Sequence, residues 1–286
     1  IKDCADSLGA EAPLDYRELA SVLAQAWSRS RPRWVGLAGG QGAGKSTLGR
    51  LLERACSHFG LRACVLGIDD FYLTKQERRE LAEDVHPLFE TRGPPGTHDL
   101  ALCRETMEKL TGSGSVKLPV FDKGLDDRTG SRSLEGPFDL VVLEGWCVGA
   151  QPVPVRELVQ PINELERQED PKGIWRRAVN EFLGDVYAPL WLALDQVVFL
   201  EVPDLSAVRR WRLQQEQEIP PEYRLDALAV DRFVSHYERV TLGMLKELGQ
   251  RADWTVRLAP DHSVAGVQRP VDSGNGGESL DERRER

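Results

Sequence analysis

Apolar positions divide the chain into short continuous runs and longer stretches with helical spacing. Between Leu14 and Ser28, the residues Leu14, Leu19, Val22, Leu23 and Ala26 fall near one helical face, which predicts an amphipathic helix ahead of the first strand. Trp34 to Ala38 is an apolar run that ends in glycines, and helical spacing follows from Ser46 to Phe59, giving strand, loop, helix. Arg62 to Ile68 is a second apolar run, stopped by Asp69 and Asp70. The Gly- and Pro-rich stretch Thr91 to His98 reads as a loop before a helix from Asp99 to Leu110. Phe138 to Leu143 (FDLVVL) is the clearest buried strand, because a parallel strand covered on both faces needs nearly continuous apolar sequence. Gln196 to Val202 repeats that pattern, and Thr255 to Leu258 repeats it more weakly. Helical stretches lie around Trp175 to Leu194, Leu205 to Gln217 and Ala227 to Leu248.

Strands alternating with helices imply right-handed crossovers and a mainly parallel sheet, an α/β architecture whose ligands gather at the carboxyl ends of the strands. A chain of 286 residues, 41% of them hydrophobic, can bury one large core. The expected organisation is a helical extension over 1–33, a main domain over 34–262 and a tail over 263–286. The tail turns Gly-, Ser- and charge-rich from Gly266 and is expected to be disordered. Val116 to Phe121 is apolar, but Asp122 to Gly136 is polar enough to be read as a mobile loop.

A formal net charge of -9 argues against nucleic acid as a partner, since such surfaces neutralise phosphates with a basic patch. The five cysteines are scattered and form no CxxC pair, so neither a disulfide framework nor a zinc site is expected. His58, His86, His236 and His262 lack the spacing of a zinc motif. No apolar stretch is long enough for a membrane helix, and the first residues lack a secretory pattern. These features predict a soluble cytoplasmic protein with no membrane partner; the start at Ile1 leaves an organellar origin open, and the oligomeric state is not legible.

The segment Gly39, Gly40, Gln41, Gly42, Ala43, Gly44, Lys45, Ser46, Thr47 fits GxxxxGK[ST] between a predicted strand and a predicted helix. Glycines let backbone amides approach phosphate oxygens, and the unpaired amides of the following helix add positive potential. Lys45 is expected to reach the β and γ phosphates of ATP, and Ser46 to ligate Mg²⁺. No NKxD guanine signature accompanies the loop, and the DxxG at Asp127 to Gly130 does not end a buried strand. Glu144 ends the FDLVVL run, where an acid holds Mg²⁺ directly or through water. Asp69 and Asp70 end the second run in the same way; Asp69 is the preferred base for an attacking hydroxyl and a further candidate metal ligand, with Asp70 the alternative.

Six ordered motifs then carry a resemblance: GGQGAGKST, IDDFYLT at Ile68 to Thr74, RGPPGTHD at Arg92 to Asp99, PVFDKGLDDR at Pro119 to Arg128, LEGWCVG at Leu143 to Gly149, and WRLQQE at Trp211 to Glu216. From about Trp34 to Leu258 the chain resembles the glycerate kinase family, within the phosphoribulokinase and uridine kinase group of P-loop kinases. The resemblance implies a three-layer αβα domain with helical lid and insertions, the insertion after EGW running from Gln151 to Glu181. It also implies ATP-dependent phosphorylation of D-glycerate to 3-phosphoglycerate, and it supports Asp69 as base through the DxFY pattern of uridine kinases. The sequence EIPPEYRLDALAVDRFV lacks the glycine-methionine stretch common in the family.

Glycerate has a carboxylate and two hydroxyls, so its pocket needs a fixed cation and several donors. Arg92, His98, Lys123 and Arg128 lie in the motif loops, with Lys123 and Arg128 favoured; Asp70 and Tyr72 complete the expected acceptor site. Among Arg209, Arg210 and Arg212, Arg212 is the preferred lid arginine over the transferring phosphoryl. Trp175, Trp191 and Trp211 read as packing anchors. A kinase acting on a nucleoside, pantothenate or a sugar phosphate is the alternative, and an ATP-driven switch protein is a second.

Overall fold

The computed structural model describes residues 1–217 and 224–269. Two helices, α1 (Lys2–Ser7) and α2 (Leu14–Ser30), lead into β1 (Trp34–Gly39) and α3 (Lys45–His58). Then come β2 (Ala63–Gly67), α4 (Lys75–Asp84) and α5 (Leu100–Leu110), followed by a hairpin of β3 (Gly114–Asp122) and β4 (Asp127–Gly136). β5 (Leu140–Gly145) returns to the main sheet, and α6 (Glu164–Glu169), α7 (Ile174–Phe182) and α8 (Ala188–Leu192) follow it. β6 (Gln196–Glu201), α9 (Leu205–Gln217), α10 (Ala227–Ser235), α11 (Glu238–Arg251), β7 (Trp254–Leu258) and β8 (Val264–Gln268) complete the fold.

The six-stranded sheet has the order β2-β5-β1-β6-β7-β8, parallel except for the last strand. Alternate residues of the central strands feed two separate cores. Trp34, Ala38, Val141 and Leu143 pack on one face, Val35, Leu37, Leu140 and Val142 on the other. This is why β1 and β5 read as continuous apolar runs: neither face meets water. The second core also takes Leu19, Leu23 and Trp27 of α2, so the N-terminal extension is packed into the main body. The domain is a three-layer α/β fold whose parallel strands end toward the edge that carries the glycine-rich loop after β1.

Two expectations fail. The polar segment Asp122 to Gly136 is not a mobile loop but the turn and second strand of a hairpin. β3 supplies the buried apolar anchors, Val116, Leu118 and Phe121, while β4 adds only the partly buried Leu134 and stays largely exposed. Its backbone ladder and a set of ion pairs at the turn take the place of burial. Arg78, itself buried, donates to the Asp126 carboxylate at 2.6 Å and to its carbonyl at 2.9 Å. Asp127 Oδ1 accepts from Lys75 N at 3.0 Å. Val264 to Gln268, placed in the expected tail, forms β8 antiparallel to β7. The rest of that tail, 270–286, lies outside the described residues, as do 218–223 of the altered lid sequence.

All five cysteines are free and buried, and no helix among the described residues is long and apolar enough to cross a membrane. Trp175, Trp191 and Trp211 are buried as packing residues.

Candidate active site

The phosphate loop turns twice through left-handed backbone, at Gly42 and Gly44, both with φ of +77°. Side chains are disfavoured in that region, which explains glycine at both positions. Lys45 Nζ donates to the carbonyls of Gly39 and Gly40, each at 2.9 Å, so the loop is curled around its own ammonium. Burial lowers the Lys45 pKa, and the nearby Glu144 and Asp69 carboxylates oppose that shift. Ala43 N bonds Gly40 O at 3.2 Å and closes the turn, while α3 begins at once with its free amides at the loop.

β1, β5 and β2 are neighbours, so their carboxyl ends bring three acidic positions to the loop. Glu144 pairs in register with Leu37 of β1 and Gly67 of β2. Its Oε1 accepts from Ser46 Oγ at 3.0 Å, whereas the buried Oε2 has no protein partner. Burial raises the Glu144 pKa; Lys45 and Ser46 work against it. An unpartnered buried carboxylate oxygen beside a serine hydroxyl is a donor set that suits a hard cation such as Mg²⁺. Among the described residues no group of three or more His, Cys, Asp or Glu side chains could hold a metal alone.

Asp69 stands in the short 3₁₀ turn Ile68–Phe71 immediately after β2. Tyr72 Oη donates to its Oδ1 at 2.9 Å, and Lys123 Nζ to its Oδ2 at 2.8 Å. Burial alone would push this carboxyl up, but the Lys123 charge and hydrogen bond, with the Tyr72 bond, outweigh it and leave the pKa at about 2. Both Asp69 oxygens, expected as base and as metal ligand, thus accept from protein donors. Asp70, 3.9 Å from Arg132, is shifted upward by burial against the pull of that arginine.

A cavity of about 550 Å³ joins these groups: Lys45, Ser46, Glu144, Asp69, Asp70 and Lys123 all line it. Tyr72, Arg92 and Arg212 do too. Arg92 is held by Asp126 and lies 5.6 Å from the Phe121 ring. Arg212 is anchored by Glu216 and stands 5.1 Å from the Phe233 ring. Of the three basic residues on α9 it is the one at the cavity; Arg209 is tied to Asp231 and Glu238, and Arg210 bonds Ser206.

Two expected acceptor residues are elsewhere. Arg128 does not line the cavity; its Nε donates to Tyr72 O at 2.6 Å and its Nη2 to Asp99 at 3.2 Å and, more weakly, to Phe71 O. It braces the turn that holds Asp69. His98 is buried behind Tyr72, stacked on its ring at 4.6 Å, with Nδ1 2.7 Å from Tyr187 Oη. Burial lowers its pKa to about 4, so it is neutral at pH 7. Conversely, Arg132 of β4 lines the cavity and was missed, because an exposed strand was read as loop.

A second cavity of about 530 Å³ adjoins the first through Gly42, Lys45, Ser46 and Gln215. Gly44, Thr47, Trp211 and His262 continue its wall. The Trp211 and His262 rings stack with centroids 4.1 Å apart. Two cavities meeting at one phosphate loop provide room for a nucleotide on one side and an acceptor on the other.

No protein-family model matches the sequence. The chain is 32% identical over 222 residues to an uncharacterized kinase of Schizosaccharomyces pombe, covering 72% of this chain and 79% of that protein. It is also 32% identical to the chloroplastic D-glycerate 3-kinase of Arabidopsis thaliana over 72% of this chain, and spans 46% of the length of that relative. The chain belongs to the glycerate kinase family of P-loop kinases. A solved structure of D-glycerate 3-kinase from Cryptococcus neoformans var. grubii superposes with a TM-score of 0.72 and 27% identity, over 89% of this chain and 98% of that one. As a member of the glycerate kinase family, the chain is an ATP-dependent phosphotransferase with an alcohol group as acceptor.

Proposed function

We propose that this kinase phosphorylates a hydroxyl of a small hydroxy acid, with D-glycerate as substrate and 3-phosphoglycerate as product. One observation carries the reading: Lys123 Nζ lies 2.8 Å from Asp69 Oδ2, in the cavity that also holds Lys45 and Glu144. A hydroxy acid has a proton to give and a carboxylate to place within a few bonds of each other. An adjacent carboxylate and ammonium match those two needs. The names of the Arabidopsis and Cryptococcus relatives point to the same substrate.

ATP supplies the phosphoryl group, and Mg²⁺ offsets its charge. Ser46 and Glu144 would hold the ion, and the amides of Gly42 to Thr47 with Lys45 would hold the phosphates. Asp69 takes the acceptor hydroxyl proton as that oxygen bonds the γ-phosphorus and the bond to the bridging oxygen breaks, releasing ADP, and Tyr72 keeps the carboxylate oriented. Its low pKa keeps Asp69 ionised at neutral pH, ready to accept. Lys123, Arg92 and Arg132 receive the acceptor's anionic end, and Arg212 approaches the transferring group from α9.

Purified protein with Mg-ATP is offered D-glycerate, L-glycerate, uridine, pantothenate and a pentose phosphate, reading ADP release and product mass. Turnover with D-glycerate and a product heavier by one phosphoryl supports the assignment. Turnover with uridine but none with glycerate overturns it.

A further inference from the structure

The phosphate-loop motif itself asks nothing of the residues before β1, yet the first turn of α2 reaches the loop. Tyr16 is 4% exposed, and its Oη donates to the Ala43 carbonyl at 3.2 Å. The tyrosine also occupies the space beside Gly44, where an added Cβ would lie 2.7 Å from Oη. At Gly42 an added Cβ would lie 2.5 Å from Trp211 Cβ. Each left-handed glycine of the loop is thus pressed by one aromatic residue, from α2 at Gly44 and from α9 at Gly42. Asp15 fixes the same helix start from outside: its Oδ2 accepts from Val264 N at 2.7 Å and its Oδ1 from Tyr16 N at 2.9 Å. Pro13, Asp15 and Tyr16 share the second cavity with the loop and with His262.

We propose that Tyr16 is a positioning residue for the phosphate loop, and that the N-terminal extension thereby forms one wall of the nucleotide site. This rests on the reading of that cavity as the nucleotide side. The carbonyl and N–H of a planar trans peptide point in opposite directions. Anchoring the Ala43 carbonyl on Tyr16 therefore turns the Gly44 N–H away from the tyrosine, where a phosphate oxygen can accept from it. Without that anchor the peptide leading into the flexible Gly44 can rotate, and one donor is lost part of the time. Burial raises the Tyr16 pKa to about 12, so the hydroxyl stays a donor across the working range.

The test is Tyr16→Phe, which keeps the ring and removes the hydroxyl, with ATP affinity read by calorimetry. The Kd for ATP should rise about 2- to 10-fold, the worth of one hydrogen bond. The KM for ATP should rise in step, with the KM for the acceptor unmoved. Tyr16→Leu, which also removes the ring from Gly44, should raise both further, and more than Tyr16→Phe does. A role confined to folding would lower thermal stability and the active fraction while leaving Kd as it was. Tyr16→Phe binding ATP as tightly as the parent overturns the proposal. A parent that binds no ATP would instead remove the nucleotide reading itself, so the two failures are separable.

Discussion

Replacing Arg128 with methionine separates a brace from a ligand. The Arg128 side chain is 18% exposed, and its guanidinium bonds Tyr72 O at 2.6 Å and Asp99 at 3.2 Å, with a longer contact to Phe71 O at 3.4 Å. Hydrogen bonds involving a charged group contribute about 1.5 to 3 kcal/mol each, and partial exposure returns some of that to water. Two good bonds then make the loss about 3 kcal/mol. For a domain somewhat above 200 residues, each kcal/mol moves the thermal midpoint by roughly 2 to 4 °C. Arg128→Met should therefore melt about 6 to 12 °C below the parent by calorimetry. Because the freed segment carries Asp69 and Tyr72, kcat should fall while the KM for ATP holds. A midpoint within a degree of the parent, combined with a large rise in acceptor KM, would show Arg128 to be a substrate ligand and refute the brace.

Asp69→Asn should lower kcat by about 10² to 10⁴ with ATP binding retained, measured by single turnover and calorimetry; near-parent turnover would remove it as the base. Glu144→Gln keeps the shape and the Ser46 contact but loses the charge, so the Mg²⁺ concentration for half-maximal rate should rise about 10- to 100-fold. His98 and His236 are both held neutral by burial, with pKa values of about 4 in the folded protein. The unfolded chain takes up protons from about pH 6.5, so stability is whole above that value and falls as pH drops toward 4. The loss approaches about 3 kcal/mol per histidine at the low end of the window. Urea melts at pH 7.5 and pH 5 should show the fall, and His98→Gln combined with His236→Gln should flatten it.

The parts of the fold that meet no water were the parts legible in sequence. β1, β5 and β6 must be apolar on both faces, and their ends place the glycine loop and Glu144 without further information. The hairpin was hidden because β4 is held by its partner's backbone and by Arg78 and Arg92 gripping Asp126, contacts that leave no periodic trace. Missing it also hid Arg132. Arg128 shows a different limit: an arginine that caps backbone carbonyls and one that binds a carboxylate are the same residue in the same kind of loop. Tyr16 was out of reach because its partner Ala43 lies 27 positions away and the motif does not require it. Asp69 and Lys45 were recoverable because the crossover rule sends the ends of neighbouring parallel strands to one edge, whereas Lys123, in the hairpin turn, was reached only through its motif.

The two adjoining cavities have a kinetic consequence. Their walls coincide only at Gly42, Lys45 and Ser46 of the loop and at Gln215 of α9, so filling either leaves most of the other's lining uncovered. Binding is then expected in random order, and a dead-end complex of ADP with unreacted acceptor can form. A single compound tethering an adenosine polyphosphate to a hydroxy acid would engage both chambers at once. Its second contact is intramolecular, and the gain in avidity of such linkage, on the order of 10² to 10⁴, depends on the tether spanning the loop.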